Sequence, residues 1–183
     1  MRTSDTRTGY GWISIALHWV TAIVILTLWF VGGSIQADAA AGSDTTLHLH
    51  TSIAISFYVL LWARIIWRFV KRHPEALPQQ KGLFFEIGKY THYAILVAVG
   101  IMLISGPLMV WSRGAEIHVW DWFTIPGPFD ASMNLFLVVH TVHIWCARFI
   151  IIATILHIGG VYKHAAFNQD GTFSKMLIPA RDD

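Results

Sequence analysis

Four long apolar runs separated by polar breaks set the pattern of this chain. They cover about residues 12–35, 50–70, 84–111 and 135–162. A helix crossing the roughly 30 Å hydrocarbon core of a bilayer needs about 20 mostly apolar residues. Each run therefore predicts one membrane span, and the chain reads as all-α. The first run holds no Asp, Glu, Lys or Arg, whereas Arg64 and Arg68 interrupt the second. The third has Glu86 and Lys89 in its opening turns, and the fourth encloses Arg148. The breaks fall at residues 36–47, 71–81 and 112–134; only the last is long, and it is rich in Gly, Pro and Trp. No internal repeat or low-complexity tract is visible.

The first run has a competing reading as a cleaved signal peptide. Arg2 and Arg7 precede it, and Ala37-Asp38-Ala39 resembles a cleavage site. The apolar core of a signal is about 7–15 residues. This run is longer and includes His18 and Trp19, so a retained span is expected.

Positive charge orients the spans, because cytoplasmic loops carry the excess of Lys and Arg. With the N-terminus inside, the inner segments hold Arg2, Arg7, Arg68, Lys71, Arg72, Lys81, Lys89, Lys163, Lys175 and Arg181. The outer loops hold only Arg113. The expectation is a multi-pass protein of a bacterial inner membrane, with lipid around it and both termini cytoplasmic.

Composition narrows the class. The chain has 183 residues, of which 13% are charged, against about 25% in soluble domains. A water-soluble enzyme is excluded on that ground. With Gly at 14, Pro at 6 and a lone Cys146, collagen-like, disordered and disulfide-scaffold readings go too. A net charge of +2 without a basic patch predicts no nucleic-acid partner. Ten histidines in so apolar a chain are the feature that changes the picture.

Ionisable groups inside a membrane are costly and point to function. His18 sits about two turns inside the first span, and His157 lies at a similar depth on the fourth. His50 and His143 lie toward the outer side of spans two and four. His143 and His157 are 14 residues apart, which is about 21 Å and nearly four whole turns, so they project from almost one face. Taken singly, each histidine reads as a hydrogen-bonding or proton-relay group. Two depth-matched pairs sharing one helix instead suit two stacked haems, each with both axial positions filled by imidazole. A zinc site would need three or four ligands at one point, and a proton path would normally use intramembrane carboxylates.

The remaining histidines have weaker readings. His140 competes with His143 but is rotated off the shared face, and His48 competes with His50 from a loop position. His92 is an unpaired inner-half histidine suited to core hydrogen bonding. His164 serves a propionate, a quinone or the interface, while His73 and His118 are solvated. Arg64, 14 residues beyond His50, shares its face at the inner level and suits either a haem propionate, since guanidinium pairs with carboxylate, or snorkelling to the inner headgroups. Arg68 reads as snorkelling to the headgroups. Arg148 lies near mid-membrane and calls for an anionic or polar companion. Trp111, Trp120 and Trp122 read as an interfacial belt, with a lid over a vestibule as the alternative.

Taken together, these residues resemble the bacterial cytochrome b561 family, which is related to the di-haem cytochrome b subunits of nickel hydrogenases. The resemblance covers essentially the whole chain. Its carriers are Ile15-Ala16-Leu17-His18-Trp19, His50 followed by Arg64, Ser112-Arg113-Gly114, His143, and Leu156-His157. It implies a single domain over residues 1–183, folded as an integral membrane four-helix bundle with two b haems between the helices. His18 and His157 would ligate the inner haem iron, and His50 and His143 the outer. It also implies electron transfer from an outer-side donor to membrane quinone, with ubiquinone as acceptor. A relative of this kind is similar to a superoxide oxidase, which makes superoxide the leading specific donor. The alternative is a cytochrome b anchor that takes electrons from a peripheral dehydrogenase or hydrogenase as its redox partner. The outer loops carry Asp38, Asp44, Glu116, Asp121 and Asp130 against Arg113, a balance that does not steer an anion.

Overall fold

The first apolar run folds as α1 (Trp12–Ala40) in the computed structural model, which describes residues 2–71, 74–75, 83–168 and 171–180. The readings of Arg72, His73, Lys81 and Arg181 fall outside those residues. Helix α1 begins at Gly11, where the N-terminal segment crosses so closely that a Cβ would lie 2.5 Å from the Thr3 carbonyl oxygen. At its far end the Asp38 carboxylate accepts from the Thr46 amide at 2.8 Å, tying the turn that leads into the next helix.

The second run does not form one straight helix. It divides into α2 (Thr45–Ser56) and α3 (Tyr58–Val70), bent by 47° at Phe57. The break follows a stretch where Thr51 and Ser56 turn their hydroxyls back onto helix carbonyls, Ser56 onto Ser52 at 2.8 Å. Such back-bonding bends helices, and here the Trp120 indole also donates to Ser56 from outside at 3.0 Å. The second apolar run is thus a bent pair of helices, where the hydrophobic pattern predicted one span over residues 50–70.

Helix α4 (Leu83–Ser112) contains Pro107, which has no amide hydrogen to give the carbonyl one turn back. That carbonyl belongs to Leu103, and the Tyr58 hydroxyl donates to it at 3.2 Å. The first residue after the α2–α3 bend therefore satisfies the acceptor that the proline frees. Helix α5 (Met133–Lys163) starts on Ser132, whose side chain accepts from the Leu135 amide, and ends in a single π-helical turn, His164–Asn168.

Between α4 and α5 lies a hairpin that the sequence pattern did not signal, β1 (Ile117–Val119) and β2 (Phe123–Ile125), paired antiparallel. Ile117 and Val119 are buried, and Trp120 at the turn holds φ at 47°, an unusual angle for a non-glycine residue. Its amide donates to buried Ser52 at 2.7 Å, which docks the hairpin onto α2.

Helices α1, α4 and α5 are each long and apolar enough to cross a membrane, and the bent pair is a fourth when taken as one span. At the opposite end from the hairpin, the Arg2 amide donates to the Ala180 carbonyl and the Ala180 amide to Tyr10. The two terminal segments therefore lie together at one end of the helices. Val24, Leu61, Ile65, Leu96, Val99, Leu103 and Ile150 form the core where α1, α3, α4 and α5 meet.

Candidate functional site

Histidines gather at two levels, one near the termini and one near the hairpin. At the terminal end α1 presents His18 and α5 presents His157, with ring centres 6.3 Å apart. Helix α4 adds His92, whose ring centre is 4.7 Å from that of His157. His92 is therefore not unpaired, which corrects the sequence reading. Depth alone already placed three histidines at this level, and only the rotation of α4 about its axis decides that all three converge.

Two guanidiniums from α3 border this cluster. Arg64 is half-buried, an electrostatic neighbour of His18 and of Arg68. Arg68 does not snorkel freely: its Nη1 is buried with no hydrogen-bond partner, and its guanidinium lies 5.6 Å from the centre of the Tyr93 ring. Among the described residues neither arginine forms an ion pair. The one nearby carboxylate, Asp5, accepts from the Gly11 amide at 2.8 Å. Burial pushes the Tyr10 phenol above its ordinary value, against the pull of the adjacent Arg68 charge. Among the described residues these two like charges form no ion pair, an arrangement that suits an anionic group beside them.

At the hairpin end, α2 presents His50 and α5 presents His143, electrostatic neighbours of each other. The Nδ1 edge of His50 lies against α1. A Cβ on Gly32 would stand 3.2 Å from its Cε1 and 3.3 Å from its Nδ1. That Nδ1 is buried near the Leu28 carbonyl but outside hydrogen-bond geometry. His143 is held similarly from α4, with its Nδ1 2.9 Å from the Ser105 hydroxyl and its Cε1 3.5 Å from where a Gly106 Cβ would be. Both rings therefore turn Nδ1 toward a neighbouring helix and leave Nε2 facing away from it.

The other singled-out residues sit apart from these clusters. His48 is on the first turn of α2 rather than in the loop, and its Nε2 hydrogen-bonds the Trp120 carbonyl at 2.7 Å. His118 on β1 is exposed, 6.1 Å from His48 between ring centres. His140 packs on Phe136, and His164 meets Asn168 at 3.1 Å in the π turn. Arg148 faces outward beside Trp145. Trp111 donates to the Ile125 carbonyl and Trp120 is bound to α2, while Trp122 is 80% exposed. The three tryptophans thus divide between holding the hairpin and facing its surroundings.

Comparison with known proteins is consistent with this arrangement. Residues 9–178 match the family described as prokaryotic cytochrome b561. A relative from Escherichia coli strain K12, cytochrome b561 homolog 2, is 28% identical over 187 aligned positions, covering 100% of this chain and 98% of the relative.

Proposed function

Because this chain belongs to the prokaryotic cytochrome b561 family, whose members are membrane b-type cytochromes of electron transfer, we propose that it binds two b haems and carries electrons between the two levels. A donor at the hairpin end delivers them, and quinone in the membrane receives them. In this reading the chain is one domain, a four-helix bundle of a bacterial inner membrane with its termini in the cytoplasm. His18 and His157 are the axial ligands of the inner haem, and His50 and His143 those of the outer.

The separation of His18 and His157 is the observation that carries the reading. An imidazole nitrogen stands about 2 Å from a metal that it binds, so two rings on opposite sides of one ion have centres about 6 Å apart. The observed 6.3 Å fits that requirement, whereas the 4.7 Å between His92 and His157 is too short for it. At the hairpin end the fit is in the edges of the rings. A metal-bound histidine usually gives its other N–H to a fixed acceptor, and Ser105 stands in that place for His143. Gly32 supplies the room that lets the His50 ring lie flush on α1.

Haem supplies reversible one-electron chemistry, and the protein supplies ligation, orientation and electrostatics. Arg64 and Arg68 suit the propionate carboxylates of the inner haem, and their charge favours the reduced state there. His92, with its ring centre 4.7 Å from that of His157, packs on that ligand and helps to hold its orientation. Ubiquinone is the acceptor in this reading and superoxide the leading specific donor. A peripheral dehydrogenase is the second donor reading, favoured by the apolar surface of the hairpin, where Trp122 is 80% and Phe123 51% exposed.

The test is a dithionite-reduced minus oxidised spectrum of the purified protein with haem counted per chain, followed by superoxide-driven quinone reduction. Two low-spin b haems per chain are expected. A colourless protein after expression with adequate haem would overturn the reading. Two haems without superoxide activity would move the donor to a partner protein.

A further inference from the structure

Arg148 occupies the middle of α5 (Met133–Lys163), with about 22 Å of helix on each side. Its side chain is exposed on the outward face of that helix. Trp145 one turn before it and Ile152 one turn after it are exposed on the same face, at 62% and 58%. From mid-span the headgroups are about 15 Å away on either side, farther than a guanidinium reaches. The contact it makes is with the Trp145 ring, 5.0 Å from its centre. Among the described residues it forms no ion pair. An indole face offsets only part of the desolvation of a cation, and lipid tails offset none of it.

We infer that this face of α5 docks a transmembrane helix of another protein, one that carries a carboxylate near the bilayer midplane. The charge selects the partner, since a guanidinium in hydrocarbon is satisfied by an anion that brings its own acceptors. A second copy of this chain does not supply one. The four apolar runs contain a single carboxylate, Glu86, and it lies in the opening turns of α4 rather than at mid-span. Two copies meeting across a two-fold axis here would also set Arg148 against Arg148. Beside Ile152 on this face a shallow groove of about 210 Å³ runs between α4 and α5.

The experiment uses the haem-loaded full chain in phosphatidylcholine vesicles with a leucine-rich transmembrane peptide bearing one central Glu. Peptides with Gln or Leu at that place are the controls, and association is read by energy transfer. The Glu peptide is expected to bind about threefold to tenfold more tightly than either control, and Arg148→Leu should erase the preference. Equal binding of the three peptides, or a preference that survives in Arg148→Leu, would overturn the proposal. Arg148→Leu is also expected to keep its haem content and its thermal stability in detergent. A destabilised variant would mean that Arg148 serves the chain's own fold, and wild-type self-association lost in the variant would assign the face to a second copy. Either result refutes the inference.

Discussion

His18 and His157 stand 6.3 Å apart between ring centres, although one lies near the start of the first helix and the other near the end of the last. The contact closes the helix array on itself at the terminal end. His143 lies on the same helix as His157 but takes part in the other cluster. The two levels therefore share α5 without sharing a histidine.

This separation predicts independent sites. His157→Ala should bind one haem per chain and keep the hairpin-end haem, and His143→Ala should do the converse. Haem quantitation and low-temperature spectra of the two variants check it. Two haems retained in His157→Ala would refute the pairing.

Ser105 lies 2.9 Å from His143 Nδ1; if Nε2 held the iron of the proposed haem, the ring N–H would donate to the hydroxyl. Loss of such an outer partner typically weakens metal binding about 10–100-fold. Ser105→Ala should show that loss for the hairpin-end haem alone, seen as faster haem transfer to an acceptor protein. Unchanged haem retention would mean that helix packing orients His143 without the hydroxyl.

Adjacent glycines on α1 provide a steric control. A Cβ on Gly32 would press on the His50 ring at 3.2 Å, while one on Gly33 would meet nothing within 4 Å. Gly32→Val should displace His50 and lower the hairpin-end haem content. Gly33→Ala should leave both haems in place and gain helix stability of about 0.5–1 kcal/mol. Equal haem content in the two variants would show that His50 can move aside freely.

Arg68 carries a buried Nη1 with no partner beside the terminal-end histidines. Arg68→Gln removes a cation that favours the electron, so the midpoint potential of that haem should fall. A decade in the reduction equilibrium is ~59 mV for a one-electron couple, and a shift of that order is expected. The hairpin-end haem should not move, and Arg68→Lys should recover part of the change. A redox titration resolving both haems checks each arm, and equal shifts at both would mark a general structural effect instead.

Much of this protein was legible along the chain. Span positions follow from the length of apolar runs, because the bilayer sets the number of residues needed and no tertiary information enters. The grouping of His18 with His157 and of His50 with His143 follows from depth, which helical rise converts directly from residue number. The shared face of His143 and His157 follows from their spacing. These are local quantities, fixed by backbone geometry and solvent.

What tertiary structure decided depends on how each helix is rotated and what it touches. His92 joins His157 because of the rotation of α4, and half-buried Arg68 tucks its Nη1 away from solvent beside Tyr93. The second span bends at Phe57 while Trp120 reaches Ser52 and Ser56 from the hairpin. Pro107 is tolerated because Tyr58 satisfies the Leu103 carbonyl. Each pairing joins residues far apart in the chain, through hydrogen bonds or ring contacts a few ångströms long. Hydrophobic periodicity reports that a segment is apolar and helical; it does not report its angle about the helix axis, and that angle decides which side chains meet.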